Sequence, residues 1–272
     1  MRVLITNDDG IGAKGINVLR RALTGLPEVE LSVIAPDSNR SATARSITTR
    51  SPLWVEEIGF DDGGSGFAAD GTPVDCVRFA ELGLIGERPE LIVSGINHGS
   101  NLGDDITYSG TVAAALEGIV LGIPAIAVSQ QSGAREMDYR LGREFDFSFA
   151  AALVVELIGR LDREPLPQGT LLNVNVPAGE ASGVEVTRLG KRIYRDALEQ
   201  VDSDLAGRRR FRIYGDAPIY EDEVGTDLAA VAAGRVAVTP LHFDLTAEHG
   251  LESLRAYDLA RLLTPAAEEI TE

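Results

Sequence analysis

Two successive carboxylates, Asp8 and Asp9, end the first apolar run of the chain, Arg2–Thr6, and are followed by Gly10-Ile11-Gly12-Ala13-Lys14-Gly15. In open parallel sheets, ligands bind beyond the carboxyl ends of the strands, so this loop stands where chemistry is done. Adjacent acids repel each other unless a cation lies between them. With no His or Cys close by, hard oxygen ligands select Mg²⁺, Mn²⁺ or Ca²⁺ over zinc. A solvated Asp-Asp-Gly turn capping the following helix would leave the same trace in the sequence. The stretch also matches Gly-x-Gly-x-x-Gly, a dinucleotide fingerprint, with Asp37 where a ribose-binding acid would lie. Against that reading, Asp8 and Asp9 occupy the place of a pyrophosphate and oppose it.

Two further segments offer polar groups. Ser94 to Thr111 follows an apolar run, is packed with Gly, Asn and Ser, and leads into the apolar stretch Val112–Leu121. Ser109, Gly110 and Thr111 sit at the start of that helix, where backbone N–H groups lack partners and can receive a phosphate. An ordinary Ser or Thr helix cap is the plainer account of any one of them. Pro36 to Thr43 follows the second apolar run, and its hydroxyl and amide oxygens can complete a coordination begun by Asp8 and Asp9. Cys76 lies within an apolar helical pattern and reads as a small buried hydrophobe. His98, beside Asn97, either shapes the pocket or faces solvent, and His242 reads as a residue that orders its own loop.

These segments need elements to hold them. Arg2–Thr6, a helical pattern from Ile16 to Leu26, and Leu31–Ala35 form a βαβ unit. The alternation continues with a helix near Val74–Leu82 and a strand at Leu91–Ser94, then a helix at Thr111–Leu121 and a strand at Ala125–Ser129. A helix over Phe145–Gly159 and a strand at Leu171–Val176 follow, with a last strand at Val236–Thr239 and a helix near Glu248–Leu263. The pattern predicts an α/β fold, a doubly wound, mostly parallel, Rossmann-like sheet with both faces covered. Residues 43–69 read as a β excursion. Residues 188–224, polar and bearing Tyr194, Phe211, Tyr214 and Tyr220, read as a projecting hairpin arm. The expectation is one α/β domain over 1–272, with 188–224 and 248–272 used in assembly.

Composition narrows the partners. The chain has 272 residues, a formal net charge of −17, 44% apolar and 25% charged residues, and one cysteine. Those shares are of a folded, soluble protein. The lone Cys76 excludes an intrachain disulfide framework and a thiolate zinc site. No apolar run reaches membrane-spanning length, and the expected location is the cytoplasm. The acidity excludes nucleic acid polymers, which need a basic footprint. A small anion is admissible where a metal, a helix N-terminus or a few placed cations receive it.

Met1–Gly15, Ala35–Thr48, Gly71–Val77, Leu91–Gly118 and Val238–Thr246, taken in that order, resemble the stationary-phase survival protein SurE family, metal-dependent nucleotidases acting on nucleoside monophosphates. The resemblance implies that Asp8, Asp9, Ser41 and Asn97 ligate one divalent cation per subunit, Mg²⁺ or Mn²⁺. It implies catalytic roles for Asp8, Asp9 and Asn97, and substrate contacts from Asn97, Ser109, Gly110 and Thr111. It further implies a homodimer or homotetramer assembled through the arm and the C-terminal segment. Two other functions are compatible with the motifs: a nicotinamide-dependent oxidoreductase using the glycine fingerprint, and a nucleotide-binding regulator without chemistry.

Overall fold

Strand β1 (Arg2–Thr6) sends Val3 and Ile5 into one buried cluster and Leu4 into another, because successive side chains of a strand point to opposite faces. That alternation sets the layers of the whole molecule. The computed structural model describes residues 1–137, 144–194, 197–203, 207–213, 219–257 and 259. After β1 come α1 (Lys14–Thr24), β2 (Glu30–Pro36), β3 (Val55–Gly59), β4 (Ser65–Ala69), α2 (Pro73–Glu81) and β5 (Leu91–His98). A 3₁₀ turn (Gly103–Thr107), α3 (Gly110–Val120), β6 (Ala125–Gln130), α4 (Ser148–Leu161) and β7 (Thr170–Val176) follow. The remaining elements are β8 (Val184–Val186), β9 (Arg192–Ile193), β10 (Glu199–Ser203), β11 (Arg209–Arg212), β12 (Ile219–Tyr220), α5 (Asp227–Ala232), β13 (Val236–His242) and α6 (Glu248–Arg255).

Nine strands form one sheet in the order β3-β4-β2-β1-β5-β6-β7-β13-β8. Pairing is parallel from β4 through β7 and antiparallel at β3–β4 and β7–β13, while β8 runs parallel to β13. Helices α1 and α4 cover the Val3/Ile5 face with Ile16, Leu19, Leu23, Val154 and Ile158. Helices α2 and α3 cover the Leu4 face with Val77, Ala80, Val112, Ala115 and Ile119. The doubly wound α/β architecture expected from the pattern is the one observed.

Where the structure departs from the sequence reading, local chemistry explains it. The predicted excursion over 43–69 contains strands only from Val55 onward, and they lengthen the main sheet at its edge. Helix α4 starts at Ser148 rather than Phe145. Asp146 accepts the Ser148 amide, and Phe145 and Phe147 stack on each other instead of entering the helix. Strand β5 runs past Ser94 to His98, since Asn97 and His98 pair with Ser129 and Gln130 of β6 after a register shift. The arm contains two antiparallel ladders, β10–β11 and β9–β12. Tyr214 and the expected continuation of the last helix beyond residue 259 lie outside the described residues.

The chain divides into two compact units, Met1–His242 and Phe243–Glu272. The second carries α6, none of whose residues is buried. Among the described residues no helix is long and apolar enough to cross a membrane.

One glycine matters for placing the loops. A Cβ on Gly15 would stand 1.9 Å from the Ile96 carbonyl oxygen, so α1 can approach β5 this closely only without a side chain there. The third glycine of the apparent dinucleotide fingerprint is thereby accounted for by helix–strand packing.

Candidate active site

Strand β1 ends in a turn closed by one buried side chain. The Asn7 amide nitrogen donates to the Gly10 carbonyl at 2.9 Å, and the Gly10 amide donates back to the Asn7 Oδ1 at 3.2 Å. This turn presents Asp8 and Asp9 at the carboxyl end of the sheet. Asp8 is only 3% exposed. Its Oδ1 accepts the Thr111 hydroxyl at 2.5 Å, and the Gly110 backbone also hydrogen-bonds to its carboxylate. A Cβ on Gly110 would lie 2.6 Å from Asp8 Cβ, so the start of α3 rests directly against the acid. Asp9 is held differently. Its Oδ2 accepts both the His98 backbone amide (3.0 Å) and pairs with His98 Nδ1 (2.7 Å), and its Oδ1 accepts from the Asn39 amide at 3.3 Å.

Three other segments meet this turn. After β2, the Arg40 amide donates to the Asp8 carbonyl at 2.7 Å. At the end of β5, Asn97 spends its amide N–H on the Gly99 carbonyl, which leaves its Oδ1 as an acceptor at the site. At the start of α3, Ser109 caps the helix by accepting the Val112 amide at 3.1 Å. The structure therefore gathers Asp8, Asp9, Asn97, Ser109, Gly110 and Thr111 around one end of the sheet. Ser41 follows Arg40 in the same loop, but it is exposed and its amide donates to Asn39 Oδ1.

The electrostatics of the pair favour a cation. Burial, and after it the charge of Asp9, pushes the Asp8 carboxyl up from 3.8 to about 6, against the opposing hydrogen bonds from Thr111 and Gly110. The hydrogen-bond partners of Asp8 are neutral, so among the described residues no cationic side chain is paired with that acid directly. Among the described residues no three His, Cys, Asp or Glu side chains are grouped to hold a metal. An ion at Asp8 and Asp9 would thus complete its shell from neutral oxygens such as Asn97 Oδ1, the donor set of a hard divalent cation. The residues present fit that group.

The surroundings show why the site is rigid, and several of its supports carry no signal in local sequence. His98 packs edge-on against Phe145 and Phe147, ring centroids 5.1 and 4.8 Å away, which fixes the imidazole on Asp9. Asn101 sits in a buried polar frame. Its carbonyl accepts from Asn173 (3.0 Å) and Asn175 (2.9 Å), its amide donates to Asn175 Oδ1 (2.8 Å), and its side chain donates to Ser129 (2.8 Å). Asp227 accepts the amides of Gly103, Gly190 and Leu228 at 2.8, 2.8 and 2.9 Å. Glu117, 1% exposed, pairs with Arg45 and Arg78, both at 2.6 Å, and so ties the loop that follows Ser41 to α3. Asn173 and Asn175 were visible as two polar residues, both on one face, inside an otherwise apolar strand. Asp227 and Glu117 left no comparable trace.

The dinucleotide alternative loses support on this geometry, and Cys76 lies where its pattern placed it. Asp37, the ribose acid of a dinucleotide site, is occupied by Ser38 and Arg40. Cys76 is fully buried and burial raises its thiol pKa far out of the nucleophilic range.

Comparison with known proteins gives a consistent answer. A family model described as "Survival protein SurE" matches residues 3–196. A protein named 5'-nucleotidase SurE from Rubrobacter xylanophilus is 51% identical over 97% of this chain and 99% of its own length. One of the same name from Pelotomaculum thermopropionicum is 46% identical, over 94% of each. The crystal structure of a SurE protein from Aquifex aeolicus superposes with a TM-score of 0.76 at 38% identity, covering 94% of this chain and 98% of that one.

Proposed function

The chain belongs to the survival protein SurE family and is a 5'-nucleotidase, and from that premise we propose that it hydrolyses nucleoside monophosphates at the Asp8/Asp9 turn. In this reading Asp8, Asp9, Asn97 and Ser41 hold one divalent cation per subunit, Mg²⁺ or Mn²⁺. Such an ion would neutralise charge on the phosphoryl group and make the attacking water more acidic. Ser109, Gly110 and Thr111 receive the phosphate at the N-terminus of α3, where the positive end of the helix dipole favours an anion. One of the two acids, Asp8 or Asp9, orients the attacking water and takes up its proton. His98 keeps Asp9 in one rotamer, and the frame around Asn101 keeps Asn97 and the start of α3 in register. The observation that carries this reading is the contact of buried Asp8 with Thr111 and Gly110, which sets the acid pair against a helix N-terminus.

The test is phosphate release from AMP. The purified protein should release phosphate with Mg²⁺ or Mn²⁺ present, stop when EDTA is added, and recover when the metal is restored. Full activity in metal-stripped enzyme would remove the metal from the mechanism, and binding of AMP with no turnover under any of these metals would favour the regulator.

The same reading includes assembly as a homodimer or homotetramer through residues 188–224 and the C-terminal segment. Support comes from half-exposed Phe211 on β11 and from Leu251 and Leu254 of α6, which are exposed apolar side chains on one helix. Light scattering should give at least twice the 29.0 kDa of one chain, and deletion of 197–213 should lower the mass. A monomer at the outset counts against it. The single buried thiol suits a reducing compartment, and the cytoplasm is the proposed location.

A further inference from the structure

The groups assigned so far deal with a phosphate and leave the nucleoside unread. The base and ribose are neutral, so neither the acid pair nor its cation recognises them, and the −17 charge of the chain offers them no ionic handle. A nucleobase offers a flat π face, and an aromatic ring fixed at the mouth of the phosphate cradle is the simplest group to receive it.

Tyr108 occupies that place. It is the residue immediately before Ser109 and ends the 3₁₀ turn Gly103–Thr107. Its backbone is held from two sides. The amide donates to the Asp105 carbonyl at 3.0 Å, and the carbonyl accepts the Ala44 amide at 3.3 Å from the loop that carries Ser41. The turn itself is braced, because Asp105 pairs with buried Arg192 at 2.7 Å and accepts the Tyr194 hydroxyl at 2.6 Å. Yet Tyr108 is 59% exposed, while Asp105, Ser109 and Thr111 around it are buried. Its hydroxyl has no hydrogen-bond partner among the described residues, unlike that of Tyr194. A single exposed aromatic is ordinary on a protein surface. An exposed aromatic on a braced turn, pinned between the two segments that bracket the phosphate cradle and making no use of its own hydroxyl, is a ring kept for something outside the chain.

The geometry points to Tyr108 as a specificity-determining residue, its ring the platform on which the base of a nucleoside monophosphate stacks. The inference rests on the nucleotidase reading and adds to it the part of the substrate that is recognised. Consecutive Cα atoms stand about 3.8 Å apart, so the exposed ring is anchored one residue from the cradle. The ribose carries the base away from the phosphate, so a base-binding group belongs beside the cradle rather than within it. Stacking tolerates any base, so the platform selects nucleotides over base-free phosphate monoesters without selecting among purines and pyrimidines.

The experiment compares AMP with ribose 5-phosphate in the metal-loaded enzyme. Tyr108→Ala should reduce the ratio of kcat/KM for AMP to that for ribose 5-phosphate by about tenfold, through KM for AMP. Tyr108→Phe should restore the ratio, since the ring and not the hydroxyl does the binding. An equal loss for both substrates, an unchanged ratio, or a Phe variant as poor as the Ala variant overturns the proposal. A second measurement is independent of turnover. In a Trp54→Phe background, Tyr108→Trp provides the only indole, and adenosine added in EDTA should quench its emission; ribose should not. Absence of quenching by adenosine overturns the platform even if AMP is hydrolysed. If neither AMP nor ribose 5-phosphate releases phosphate in the parent protein, the nucleotidase reading falls, and the quenching decides the platform alone.

Discussion

Asp8→Asn is expected to lower phosphate release from AMP by about a hundredfold or more while leaving a folded protein. Loss of a residue that merely orients a metal ligand costs about 10- to 100-fold, and a direct ligand at the centre of the site should cost at least the upper figure. The substitution opens no cavity, and an amide can still accept the Thr111 hydroxyl. Stability should move the other way in metal-free protein. Asp8 has a folded pKa of about 6 against 3.8 ordinarily, so the native state binds more protons than the unfolded state between those values. Asp8 therefore costs stability, the cost growing as pH rises from about 4 to 6 and remaining in full above. Thermal unfolding in EDTA should show the parent losing stability across that window and the Asn variant losing less. Added Mn²⁺ should raise the melting temperature of the parent far more than that of the variant. Full activity in Asp8→Asn, or equal stabilisation of both proteins by Mn²⁺, would contradict the assignment of Asp8 as a ligand.

The second large effect is on stability. Asp227 is completely buried at the start of α5 and accepts three backbone amides that have no water to turn to. Burial raises its pKa, and the three amides, then the charge of Arg192, oppose the rise. Asp227→Ala strands those amides, each buried donor left unpaired costing about 1–3 kcal/mol, so the total should be about 3 kcal/mol or more. For a protein of this size that is a fall in melting temperature of roughly 6–12 °C. One of the amides belongs to Gly103, at the head of the turn that leads to Ser109, so KM for AMP should rise as well. Asp227→Asn keeps one acceptor oxygen and should recover part of the loss. A melting temperature within about 2 °C of the parent would show that the amides find other partners.

The layers of this fold were legible because apolar periodicity is local. Val3, Leu4 and Ile5 declare a two-sided strand by themselves, and the run Val112–Ile119 declares a covered helix. The acid pair and the helix start were legible for the same reason, as adjacent residues of telling type. What the sequence withheld is pairing over distance. Nothing near Glu117 indicates Arg45, 72 positions earlier, and nothing near Asp227 indicates Gly103, 124 positions earlier. Element ends were also misread, as at Phe145 and Phe147, which stack on each other ahead of α4 instead of opening it. Asn97 and His98, expected in a loop, belong to β5 because the pairing with β6 resumes after its register shift.

The neighbours of β1 in the sheet have a consequence for how the protein is made. Its partners are β2 and β5, and Asp8 meets Thr111 across 103 positions of chain. As the nascent polypeptide leaves the ribosome, the two acids emerge early and wait, hydrated and unneutralised, for a helix synthesised about a hundred residues later. Loop closure on that scale precedes any gain from the contacts it permits, and parallel pairing of this kind is intrinsically slow. A divalent ion bound at the proposed site would find no preformed nest on the unfinished chain and would arrive last. Its stabilisation would fall on interactions formed late, which slow unfolding and leave the rate of folding nearly untouched. Such a cation would be a latch on the lifetime of the finished enzyme, closing only after the topology is complete.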